Sequence, residues 1–278
     1  MKTAIIFFSI IALSQSVSYG ACLPWQNNCE DIVSYYPFPN PDSYAFYENV
    51  LQENSFKKYR QNRPGVLLYY DGTVYDGSFK NDRPHGKGTL EYEDGMLFQG
   101  EFDKGDIRGP GIVKHPDGTT LEAYFIEGVA TGKGVLSYPD GTFYSGTFTD
   151  GRFDGAGILK FASGSKYIGE FKAGRRHGIG SYTFYDEARY IGDFIDDRIE
   201  GRGTLIYPDG SRYAGQFLDN RLHGQGVFYY PDGSVYEGGF KNGKRHGRGR
   251  YTFADGDFIE GNYNNDKLVD DTVKISRQ

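Results

Sequence analysis

The sequence predicts an all-β chain of stacked β-hairpins that repeat every 23 residues. Three observations carry this. Tyr-x-Gly-x-Phe recurs at constant spacing, as at 213–217 and 236–240. Each copy is followed by Gly-x-Gly-x-apolar-x-aromatic, as at Gly201, Gly203, Leu205 and Tyr207. Residue types of tight turns close each half. A fixed period of this length marks a repeat architecture, in which each unit buries its apolar face on its neighbours.

The first half of each unit reads as a strand. One column is aromatic throughout, from Phe79 and Phe102 to Phe240 and Tyr263. Two residues earlier stands glycine, except at Ala123. Two earlier again is Tyr75, Tyr144, Tyr167, Tyr190, Tyr213 or Tyr236, with Phe98, Leu121 and Ile259 as variants. A spacing of two puts all three columns on one face. The next turn holds Asp82, Gly105, Gly151, Gly174, Asp197, Asn220 or Gly243, types that tolerate positive φ. The second half repeats the alternation and ends in Tyr-Pro-Asp-Gly (138–141, 207–210, 230–233) or a relative. There proline presets φ, aspartate bonds its own backbone and glycine takes the strained position.

A glycine between two aromatics leaves space for a ring to lie across it. The tyrosine column therefore reads first as core. The alternative is a partly open ring face, Tyr144, Tyr167, Tyr190, Tyr213 and Tyr236, on which a ligand stacks.

These motifs resemble the MORN repeat (membrane occupation and recognition nexus): Tyr-x-Gly-x-Phe, a short turn, His-Gly-x-Gly, and a strand ending near Asp-Gly. The resemblance covers about residues 65–266. It implies an elongated, single-layer, twisted antiparallel sheet of stacked hairpins over 61–278, and no activity.

Ahead of the array, residues 1–20 read as a secretory signal. Lys2 is the positive start, Ile5 to Leu13 an apolar run too short to span a bilayer, and Ser18 and Gly20 suit cleavage before Ala21. An uncleaved anchor is a second reading. A third is a lipoprotein acylated at Cys22, which Tyr19 fits poorly. Cys22 and Cys29, the only cysteines, predict one disulfide in an exported chain. Residues 21–60 form an N-terminal cap in this reading. A short helix from Asp42 or Ser43 to about Tyr59 carries Tyr44, Tyr47, Val50 and Leu51 on one face and covers the first sheet edge.

The array starts half-way through a unit, at Gly65, Leu67 and Tyr69, and ends half-way, with polar Asp270, Thr272 and Lys274 in the next columns. The unit around Leu121 and Ala123 predicts a bend or looser packing.

The net charge of -6 argues against nucleic acid and against general attraction to an anionic bilayer. No nucleotide, zinc or nucleophile motif is present, and no cofactor or metal is expected. His85, His177, His223 and His246 share one column and read as turn residues. The stacked Asp-Gly turns, from Asp71 to Asp255, suit turn formation first and a calcium ladder second.

The reading is thus a non-enzymatic exported scaffold that binds a protein or pairs with a second copy. A glycan- or lipid-binding module on the aromatic face is the alternative. Lipid binding would need a basic patch such as Lys172, Arg175, Arg176 with Lys244, Arg245, Arg248. A cryptic enzyme is the third reading.

Overall fold

The computed structural model describes residues 64–69 and 71–269, and the backbone of 274–276. The predicted signal, the Cys22–Cys29 disulfide and the helix over 42–59 lie outside the described residues. So do Asp270 and Thr272.

The described chain is all strand and turn, with no helix. Its strands are β1 (Pro64–Leu68), β2 (Val74–Lys80), β3 (Arg83–Glu91), β4 (Leu97–Asp103), β5 (Asp106–Lys114), β6 (Thr120–Ile126), β7 (Val129–Ser137), β8 (Phe143–Thr149), β9 (Arg152–Lys160) and β10 (Lys166–Lys172). There follow β11 (Arg175–Thr183), β12 (Arg189–Ile195), β13 (Arg198–Ile206), β14 (Arg212–Leu218), β15 (Arg221–Tyr229), β16 (Val235–Lys241), β17 (Lys244–Thr252), β18 (Phe258–Asn264), β19 (Lys267–Leu268) and β20 (Lys274–Ser276). All belong to one sheet. From β1 to β18 each strand pairs antiparallel with the next in the chain, as in β1–β2 and β17–β18. The half-units expected at both ends are present. β19 and β20 share the free side of β18 as two short segments.

The turns explain the register. Asp219 and Asn220 both have positive φ, 47° and 61°. Two successive left-handed residues make the hairpin turn whose twist matches the flanking strands. At the opposite side of the sheet, Asp209 Oδ1 accepts from Ser211 N at 2.9 Å and from Ser211 Oγ at 2.7 Å. The equivalent aspartates 71, 94, 117, 140, 232 and 255 also accept from the backbone N–H two residues on. Turn formation therefore accounts for the aspartate column.

The core lies on one face. The Tyr213 ring crosses Gly215 of its own strand and Gly226 of the next, and a Cβ on either glycine would run into that ring. The ring's hydroxyl donates to the Gln216 carbonyl at 2.9 Å. Gln216 sits where the pairing register slips, at a bulge that leaves Gly224 at φ 59°. The same bond recurs from Tyr75 to Ser78, Tyr144 to Thr147, Tyr167 to Glu170, Tyr190 to Asp193 and Tyr236 to Gly239. Each tyrosine also meets two aromatic rings edge-on. Tyr213 stands 5.1 Å from Phe217 and 4.9 Å from Phe240 of the next unit. Such T-shaped contacts match the ring quadrupoles and tie each unit to its neighbour.

The loosening expected near Leu121 does not occur. Leu121 and Phe125 are fully buried. No tyrosine ring crosses position 123, so the Ala123 methyl takes that space, and the pairing with β5 and β7 continues.

Candidate interaction face

The five tyrosines considered as a ring face are core residues. Tyr144, Tyr167, Tyr190, Tyr213 and Tyr236 each have 0% exposure. The aromatic rings of the next unit, phenylalanines for the first four and Tyr263 for Tyr236, close over them, so a ligand stacking on this face does not reach them. Burial raises the pKa of all five hydroxyls, and pushes Tyr75 up to about 12. His115 stands in the aromatic column that closes the second strand, and burial lowers its pKa against the opposing pull of Asp117 and Asp94.

The basic patch also takes a different form. Arg176 replaces an apolar residue in the column of Ile107, Phe153, Ile199 and Leu222. Its Nε donates to Asp197 Oδ1 at 2.9 Å and its Nη2 to the Asp197 carbonyl at 2.8 Å. The guanidinium carbon lies 5.2 to 5.9 Å from the ring centroids of Tyr182, Phe194 and Tyr167. Three units on, Arg245 repeats this with Asp266, Tyr236, Tyr251 and Tyr263. Arg175 Nε is 3.5 Å from Asp196, and Arg248 Nη2 is 2.7 Å from Glu260. Four of the six residues are thus neutralised in place.

The histidine column stays at the bulges. His85 Nδ1 is 3.3 Å from Asp103 Oδ1 but out of line for a hydrogen bond, and His177 Nδ1 is 3.8 Å from Asp196 Oδ1. Among the described residues no group of three or more His, Cys, Asp and Glu is placed to hold a metal ion.

The accessible chemistry lies on the second face. Alternation sends the residues between the core columns there. Two rows run across the strands. One passes from partner to partner through Gln99, Ile112, Glu122, Val135 and Ser145. The other comprises Pro110, Tyr124, Lys133, Thr147 and Ala156, where Pro110 pairs with Tyr124 and Lys133 with Thr147, and the bulges at Tyr124 and Thr147 interrupt the pairing between. Between them is a groove of about 850 Å³. Its floor is Gly111, Ala123, Gly134 and Gly146. Equivalent grooves of about 490 and 620 Å³ continue the same two rows at Gly77–Gly88–Gly100 and Gly192–Gly203–Gly215. One glycine column therefore serves both faces: Gly146 receives the Tyr144 ring on one side and floors the groove on the other. The sequence signal for this face is the set of aliphatic residues at nominally polar positions, including Val135, Ile158, Ile168 and Ile191.

Comparison with protein families decides the membership. The MORN repeat model matches eight consecutive segments: 75–97, 98–120, 122–143, 144–166, 167–189, 190–212, 213–235 and 236–258. The chain belongs to the MORN repeat family. No curated protein matches it. Among solved structures, this MORN chain is similar to the TCP10 domain of Danio rerio CPAP, at 15% identity and a TM-score of 0.41 over 75% of this chain and 99% of that one. It is also similar to the SAS-4 TCP domain of Drosophila melanogaster, solved in complex with a proline-rich motif of Ana2. That match has 16% identity and a TM-score of 0.36, over 67% and 98% of the two chains. Virginiamycin B lyase from Staphylococcus aureus matches at 10% identity and a TM-score of 0.16, over 78% and 84%. Likeness at these levels bears on no partner or activity of the MORN array.

Proposed function

We propose that this MORN repeat protein is a non-enzymatic, exported scaffold that binds a protein partner, or a second copy of itself, through the second face of its sheet. The observation that carries this is the glycine-floored groove, which keeps the same two rows from β2 to β9 and again from β12 to β15. A narrow track across the strands suits an extended polypeptide, which offers backbone groups to the floor and alternate side chains to the walls. Its lining mixes Ile112, Val135 and Tyr124 with Gln99, Glu122 and Lys133, the mixed chemistry of protein interfaces. Export rests on the Lys2-to-Gly20 pattern and on the Cys22 and Cys29 pair.

The test is light scattering after size exclusion, joined to a pull-down from the exported fraction, with wild type and the groove-filling variants A156W and T147W. Both residues point away from the core. A dimer or a single co-purifying protein is expected for wild type, with either variant losing it at unchanged Tm. A wild-type monomer that captures no protein sinks the proposal.

A further inference from the structure

A third row of the second face is basic and unpaired. Register places Lys160 beside Lys166, Lys166 beside Thr183, Thr183 beside Arg189, Arg189 beside Ile206 and Ile206 beside Arg212. Lys160, Lys166, Arg189 and Arg212 are all exposed. Like charges directly opposite each other, as at Lys160 and Lys166, destabilise a sheet. None of the four forms an ion pair among the described residues. Arg189 Nε reaches only Ser181 Oγ, at 3.3 Å, and Arg212 stacks on Tyr229 at 4.4 Å. The turn carboxylates Asp186 and Asp209 accept from their own turns. The adjacent row is uncharged from β9 to β14: Ile158, Ile168, Ser181, Ile191, Thr204 and Ala214. Ile158, Ile168 and Ile191 remain 37 to 45% exposed. A cationic row flanked by an aliphatic row, on a chain of net charge -6, fits an acidic, apolar segment.

The chain contains such a segment. Between Lys2 and Lys57 there is no lysine or arginine. The same stretch holds Glu30, Asp31, Asp42, Glu48 and Glu53, interspersed with Ile32, Val33, Tyr35, Tyr36, Phe46, Val50 and Leu51. It enters the sheet at Pro64, the first residue of edge strand β1. Nine strand spacings of about 4.8 Å separate β1 from β10, or about 43 Å at most. Glu48 lies sixteen residues before Pro64. Extended at about 3.5 Å per residue, in place of the helix read from Asp42 or Ser43 to about Tyr59, the connection spans about 55 Å, enough to bring Glu48 and the acids before it onto the row.

We propose that residues 30–53 of this chain dock on the basic row of β9, β10, β12 and β14, with their apolar side chains on the Ile158–Ile168–Ile191 row. Tethering raises the local concentration of the segment to about the millimolar range, so modest intrinsic affinity suffices. A second copy is a poorer occupant of this row, because two identical cationic rows repel. The docked segment shares one wall with the groove proposed for the partner, because Ile191 and Thr204 line both, and its docking does not depend on that proposal.

The experiment is zero-length carbodiimide cross-linking of the full chain, which joins a lysine to a carboxylate in contact, read by mass spectrometry on the monomer fraction. Links from Lys160 or Lys166 to Asp42 or Glu48 are expected. They are lost in the D42N/E48Q/E53Q variant, and R189E/R212E lowers their yield at least about threefold, as does 1 M salt. Both variants alter only exposed or N-terminal positions, so an unchanged far-UV spectrum verifies the fold. Absence of these links in wild type overturns the proposal, as do links found only in a dimer fraction. Capture of wild type, but not of K160E/K166E/R189E/R212E, on phosphatidylserine vesicles without internal links overturns it in favour of a lipid occupant. Partner capture by the groove is scored separately with A156W, so either reading can fail alone.

Discussion

At the scale of residues, the repeat turns on a tyrosine that needs two glycines and a bulge carbonyl. Tyr213→Phe keeps the ring and removes the bond to Gln216. It should cost about 1–2 kcal/mol, the usual cost of stranding a buried carbonyl, seen as a lower urea midpoint at unchanged m. The Leu121–Ala123 pair makes the converse test. Leu121→Tyr alone drives a ring into the Ala123 methyl and should cost about 2–3 kcal/mol. With Ala123→Gly added, the loss should shrink by about 1 kcal/mol or more relative to the summed single mutants. The buried hydroxyls also set an alkaline limit. Burial raises the pKa of Tyr75, Tyr144, Tyr167, Tyr190, Tyr213 and Tyr236, so the folded chain holds protons that the unfolded chain releases near pH 10. Their contribution is intact below pH 10 and falls as pH rises beyond it. Absorbance at 295 nm should show these tyrosines ionising together with loss of the far-UV signal. Ionisation of all the tyrosines near pH 10 with the fold intact would contradict the burial.

At the scale of the hairpin, turn chemistry and interunit contact meet in one residue. Asp197 holds φ at 70°, and also receives the Arg176 side chain and backbone N–H. Asp197→Gly removes the contacts and keeps the backbone unstrained; Asp197→Ala removes the contacts and adds strain. Asp197→Ala should therefore be the less stable by about 1 kcal/mol, with both below wild type. Equal Tm values for the two variants would show that the left-handed backbone contributes little. The arginine between aromatic rings is also why the basic columns at 176 and 245 are unavailable to a lipid headgroup.

At the scale of the molecule, each hairpin contacts only its neighbours, so stability should be close to a sum of unit and interface contributions. Deleting 213–235 joins Arg212 to Tyr236 and restores every column. This shortened chain should fold, with a denaturant m-value lower in proportion to the lost surface. Deleting 213–224 breaks the register and places glycine columns against the wrong rings; it should not give a cooperative transition. A cooperative transition in that second variant would show that the ring-and-glycine register is dispensable.

Much of this was legible in the sequence, because the information was local. Period 2 within a strand, positive-φ residue types in the turns and period 23 along the chain specify which residues are strand, where hairpins close and which face is apolar. The half-units at both ends could be read the same way. What only the tertiary structure decided depends on neighbours across strands. That Gly226 is a slot for Tyr213 follows from register between β14 and β15, and the register includes a bulge that composition does not reveal. The complete burial of Tyr144 through Tyr236 follows from aromatic rings a unit away, Phe171 to Phe240 and Tyr263, closing over rings that sequence alone left as core or platform. The rows of the second face join residues such as Ile158, Ile168 and Ile191 from successive strands. Strand pairing sets such rows at right angles to the chain, so the groove and the basic row exist only once the sheet has formed.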